Sequence, residues 1–268
     1  MYLFKKSYII IFNVAFPFLL LSVPSGFLSA QQDLFNVPAM NITKKGQNFV
    51  QEQIIFYQRQ MQFDTTYMHG LGNNHEIGLS AYNYFVDTAP KKNSLSDFTS
   101  SLGPYPAVNS NLQFVYQKKF EPAEYFHISL GTKAGIASGP TPSSSTFANS
   151  NFVMTSTEIK SLRTTLFLGG YFGNSAFYGH YNQRIFPGNE PSISKVGMMY
   201  GIEVEVVRDK LRVMCDLITG VNALGVGVCG FSYHYNELYF ISVGYQIPNP
   251  KDGTFNPHAL LIELNAYF

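Results

Sequence analysis

The chain of 268 residues has no tryptophan, two cysteines and little charge, with Asp, Glu, Lys and Arg together making up 13%. A soluble domain usually carries about a quarter charged residues. The formal balance is only +1, which removes the electrostatic argument for a nucleic-acid partner or an anionic lipid surface. Beyond residue 30 no apolar run is long enough to cross a bilayer as a helix. That excludes a helical membrane bundle but not a barrel, whose apolar surface is hidden in alternation. The six histidines have no metal-ligand spacing, so no metal and no cofactor is expected. No repeat of solenoid type and no break in composition divides the chain, and its length suits one domain.

What is present begins with a targeting segment. Lys5 and Lys6 precede an almost wholly apolar stretch from Ser7 to Leu21; Pro24 and Gly26 follow, then Leu28-Ser29-Ala30 ending on a small residue. This is the layout of a cleaved signal peptide over 1–30. Residues 31–46 read as a short periplasmic lead, and 47–268 as the folded domain. Asn41-Ile42-Thr43 matches a glycosylation sequon by chance.

Period-two alternation, bounded by turn residues, recurs at about 48–58, 61–70, 75–85, 108–120, 124–137, 155–172, 176–186, 195–207, 211–219, 225–235, 238–247 and 258–268. Twelve strands place both termini on one side. Tight connections such as Leu71-Gly72-Asn73-Asn74 and Arg208-Asp209 alternate with longer ones rich in Pro, Ser, Gly and Asn at 86–107, 138–154, 187–194 and 248–257. In the last ten residues Leu260, Ile262, Leu264, Ala266 and Phe268 share one face, and Glu263 and Asn265 take the other. This closing strand, ending on Phe268, resembles the last strand of bacterial outer-membrane β-barrels. The resemblance implies an all-β, transmembrane, antiparallel up-and-down barrel of about twelve strands in a Gram-negative outer membrane. It also implies lipid around the barrel, and Phe268 as part of the signal read by the barrel-assembly machinery.

Register can be tested between neighbours, because a slip by one residue turns every side chain to the wrong face. A turn at Arg208-Asp209 pairs Glu205 with Arg212 and Val204 with Val213, and offers a lumenal ion pair. The next hairpin pairs Val213 with Phe231 and Cys215 with Cys229, opposite one another in an oxidising compartment, so a disulfide is open to them alongside two buried thiols. The inward set then holds Lys133, His180, Arg184, Glu203, Glu205, Arg212, Asp216 and Glu263. A polar, mixed-charge lumen of this kind favours a wet passage over a dry plug, hence a passive pore or transporter for small polar solutes. The alternatives are a barrel whose outer loops bind a partner, and a lipid-hydrolysing barrel.

Two motifs weigh little. Gly225-Val226-Gly227-Val228-Cys229-Gly230 spells a dinucleotide fingerprint, but strand residues follow where a helix is required. These glycines are expected to make room for bulky neighbours. His127-Ile128-Ser129 resembles the His-x-Ser pair of outer-membrane phospholipase A. Here parity turns both inward, no orienting Asn accompanies them, and no catalytic residue is assigned.

Overall fold

The computed structural model describes residues 34–38, 40–57, 60–87, 111–137, 147–178, 194–222, 224–249 and 258–268. Its strands are β1 (Asn48–Phe56), β2 (Gln60–Gly72), β3 (His75–Asp87), β4 (Asn111–Ala123), β5 (Phe126–Ala137) and β6 (Phe147–Ile159). They continue as β7 (Thr164–Gly173), β8 (Val196–Val207), β9 (Leu211–Ile218), β10 (Val226–His234), β11 (Tyr239–Pro248) and β12 (Ala259–Tyr267). Each pairs antiparallel with its sequence neighbours, and β12 returns to β1, so the sheet closes into a barrel. Closure leaves no exposed strand edge, which a sheet in hydrocarbon could not satisfy. The seam is finished by the terminal residue: Asn48 donates its amide to the Phe268 carbonyl at 2.8 Å, and Phe268 returns the bond at 3.0 Å.

Side-chain parity decides the two surfaces. Along β10, Val226, Val228, Ser232 and His234 are buried while Phe231 and Tyr233 are exposed. The same alternation leaves Leu79, Leu112, Phe114, Leu168, Val196 and Ile247 exposed on the outer surface. So extensive an apolar exterior is the surface of a transmembrane barrel, not of a water-soluble one. Outward aromatics lie at both rims: Phe120, Phe126 and Tyr233 at one end, Phe147, Phe172 and Tyr245 at the other. They form the girdles that tryptophan commonly shares.

Tight turns join β2–β3, β4–β5, β6–β7, β8–β9 and β10–β11 at the end that also holds Asn48 and Phe268. Asn73, Asn74 and Asp209 take left-handed φ values of 49°, 61° and 56° there, a conformation Asn and Asp tolerate best among residues with a Cβ. At this rim the Tyr125 hydroxyl, followed by Lys160, holds the Glu124 carboxyl below its usual range.

Two expected strands are corrected. The stretch 155–172 is not one strand: Lys160–Leu162 forms a single 3-10 turn and Arg163 follows at φ 47°, dividing β6 from β7. This turn has no Gly, Pro or Asn to announce it. The expected strand at 176–186 begins instead as a short helix, α1 (Ser175–Tyr178), capped by the Asn174 side chain; 179–193 lies outside the described residues. Among the described residues the closed barrel has twelve strands, the number expected.

Candidate pore lining and the strap across it

The barrel interior is crossed by its own N-terminal segment. Leu34, Phe35, Val37, Met40 and Thr43 are each 5% exposed or less, so within the segment read as a periplasmic lead residues 34–38 and 40–43 lie inside the wall, while Lys44, Lys45 and Gly46 are exposed. The reason is a set of long-range contacts. Near the tight-turn rim Gly46 donates its amide to the Gly70 carbonyl at 2.8 Å, and Thr43 donates its amide to Glu76 Oε2 at 2.8 Å. At mid-barrel the Asp216 carboxyl accepts the amides of Asn36 at 2.6 Å and Val37 at 3.3 Å, while Gln53 Nε2 donates to the Phe35 carbonyl at 3.2 Å. Backbone groups of the segment are thus satisfied by inward side chains and, at Lys45, by a single parallel bridge to Gly70.

Apolar packing locates the strap sideways. Gly230 and Gly244 are directly paired across β10 and β11. A Cβ on either would come 2.8 Å from the Phe35 ring, so this glycine pair forms the notch that holds it. Leu34, Phe35, Val37 and Met40 join one buried cluster with Phe152, Met154, Phe167, Tyr171, Met199, Met214 and Val228. Tyr178 of α1 belongs to it, its hydroxyl bonded to Ser150. The β6–β10 half of the lumen is therefore filled.

The opposite half keeps open space, lined by polar side chains together with apolar ones such as Phe49, Met68, Val115 and Tyr267. A cleft of about 200 Å³ lies between the strap and β1–β5. Its wall carries Gln51 and Gln53 of β1, Gln62, Asp64 and Thr66 of β2, Glu76, Ser80 and Tyr82 of β3, Gln113 and Gln117 of β4, and Lys133 of β5. Lys133 Nζ donates to the Tyr82 hydroxyl at 2.8 Å and sits 5.1 Å from that ring's centre. Gln62 Nε2 donates to Asp64 at 2.8 Å.

The inward residues expected from parity separate into several kinds. Lys133 lines the cleft. Asp216 holds the strap, and Glu263 accepts from Gln53 Nε2 at 2.8 Å with only 2% exposure. Arg212 faces Glu205 in register, but its guanidinium bonds Glu203 at 2.8 Å; Glu205 instead accepts the Asp209 amide at 2.8 Å. The diagonal acid points along the wall toward the guanidinium, whereas the directly opposed one closes the turn. His180 and Arg184 lie outside the described residues. The lumen expected to be polar and of mixed charge is half packed with apolar side chains. Cys215 and Cys229 are opposite, Cα atoms 4.1 Å apart and sulfurs in bonding contact, on the outer face. Gly230 makes room for a bulky neighbour, Phe35. Ser129 donates to the Lys118 carbonyl at 3.4 Å, and His127 Nδ1 lies 3.9 Å from Glu121. No hydrogen bond between His127 and Ser129 is formed among the described residues.

The cleft glutamines were missed by a reading that sought charge. Their signal was parity itself: Gln51 with Gln53 on β1, Gln62 with Asp64 and Thr66 on β2, and Gln113 with Gln117 on β4 all fall on the inward face. One acid breaks the rule in the other direction. Glu52 stands on the outward face between Val50 and Ile54, with 6% exposure and a hydrogen bond from the Thr65 hydroxyl.

Comparison with solved structures finds the same architecture at very low identity. The KdgM porin matches with a TM-score of 0.51 at 6% identity, covering 82% of this chain and 98% of that one. The NanC porin matches with a TM-score of 0.50 at 9% identity over the same shares of the two chains. An outer membrane channel from Pseudomonas putida F1 aligns over 92% of this chain and all of its own, at 8% identity and a TM-score of 0.49. No family description and no curated protein matches the sequence. The first two likenesses establish an outer-membrane porin-type barrel fold.

Proposed function

We propose that the chain is a passive outer-membrane pore for small polar solutes, with the polar cleft as its passage and the strap as its constriction. The observation that carries this is the asymmetric lumen: one wall is packed dry against the strap, and the other keeps polar side chains around open space. Polar groups buried without water or partners are costly, and a hydrated path along β1–β5 removes that cost. The apolar exterior suits surrounding lipid. Signal-peptide removal over 1–30 and recognition of Phe268 by the assembly machinery belong to the same reading.

Purified protein in planar bilayers should give discrete conductance steps, and liposomes containing it should take up small solutes. Lys133→Glu should shift ion preference toward cations, because Lys133 is a cation on the cleft wall. Barrels shown to be folded by heat-modifiable migration, yet without conductance or uptake, would overturn the pore.

A further inference from the structure

We infer that the cleft is a binding subsite for an uncharged, polyhydroxylated solute, held by the amides of Gln51 and Gln113. The inference rests on the pore reading and names the solute class. Both side chains line the cleft, with 8% and 1% of their surface exposed. Gln51 Nε2 and Gln113 Oε1 have no hydrogen-bond partner. An unpaired buried polar atom is uncommon in a native fold and points to water or a ligand. One atom donates and the other accepts, and a hydroxyl group can satisfy either.

The charged groups of the cleft are already engaged. Glu76 holds the Thr43 amide, Asp64 accepts from Gln62, and Lys133 donates to Tyr82. An incoming anion would meet two carboxylates against one ammonium. A cation would have to compete with the donors those carboxylates already hold. A neutral solute meets neither obstacle and, on entering the cleft, can partner the two buried amide atoms that lack one. The cleft volume of about 200 Å³ admits a molecule of sugar size and not a long polymer in a coiled form.

The test uses three solutes of matched size and different charge on the full-length protein refolded in lipid. Glucose, glucuronate and glucosamine are compared as blockers of ionic current and in liposome swelling. Glucose should block at the lowest concentration. Gln51→Leu and Gln113→Leu should each weaken that block about fivefold, as loss of one hydrogen bond does. Ser232→Ala, on the packed side, should not. If either Leu variant fails to fold, the near-isosteric Gln51→Glu and Gln113→Glu keep the test: each should disfavour glucuronate and admit glucosamine more readily. Preference of the wild type for glucuronate or glucosamine, or a glucose block unmoved by all four variants, would overturn the subsite while leaving the pore standing. Absence of any conductance would overturn the pore reading itself.

Discussion

Replacing Asp216 tests whether the strap is the constriction. Its carboxyl accepts two strap amides, from Asn36 at 2.6 Å and Val37 at 3.3 Å. Hydrogen bonds to a charged group contribute about 1.5–3 kcal/mol each. Asp216→Ala removes the one oxygen that accepts both bonds, so the docked strap should lose about 3–4 kcal/mol relative to a detached one, taking the low end because the Val37 bond is long. That is a factor of about 10²–10³ in the detached-to-docked ratio. Asp216→Asn keeps a carbonyl that can accept, and its loss should be nearer half as large in kcal/mol. Neither change touches the apolar anchors, since Phe35 remains in the Gly230–Gly244 notch. Single-channel recording should therefore show brief excursions to a higher conductance level, more frequent in the Ala than in the Asn variant. Deleting 34–46 should make that level permanent. A deletion whose conductance equals that of wild type would refute the strap as constriction, whatever the point variants do.

Arg212 and Glu203, 2.8 Å apart and with side chains only 11% and 10% exposed, should show a double-mutant coupling of about 1–3 kcal/mol in urea unfolding from lipid, because either single change strands a buried charge. Arg212 with Glu205 should couple within about 0.5 kcal/mol; the reverse order would contradict the diagonal pairing. Glu52→Gln keeps an acceptor for the Thr65 hydroxyl and should leave stability within about 0.5 kcal/mol. Glu52→Lys should cost about 2–4 kcal/mol in the same assay, since it puts an ammonium on the lipid face near mid-barrel. Deleting Phe268 removes the two backbone bonds to Asn48 that close the seam, and heat-modifiable material in the outer-membrane fraction should fall. Normal assembly without Phe268 would remove its proposed role.

Much of the barrel was legible because strand parity is a local property. Val204 opposite Val213, Cys215 opposite Cys229 and Val213 opposite Phe231 all follow from a turn position and a period of two. Boundaries were less legible where a turn lacked its usual residues. Arg163 adopts a left-handed φ with nothing in Lys160-Ser161-Leu162-Arg163 to signal it. The start of β6 hid in the polar run Ala148-Asn149-Ser150-Asn151, whose small inward residues read as loop.

From sequence alone came the faces: which residues meet lipid, which turn inward, and hence an antiparallel barrel with a polar interior. Those assignments need only neighbouring residues and the alternation of a strand. The contents of that interior were a tertiary matter. Asn36 meets Asp216 across 180 positions of chain, and the Phe35 notch requires Gly230 and Gly244 to fall opposite each other on adjacent strands. The strap itself has no period to read. Its place is set by which parts of the wall offer space and acceptors once the barrel has closed, and that closure leaves one half of the lumen packed with apolar side chains and the other with a cleft partly lined by glutamine.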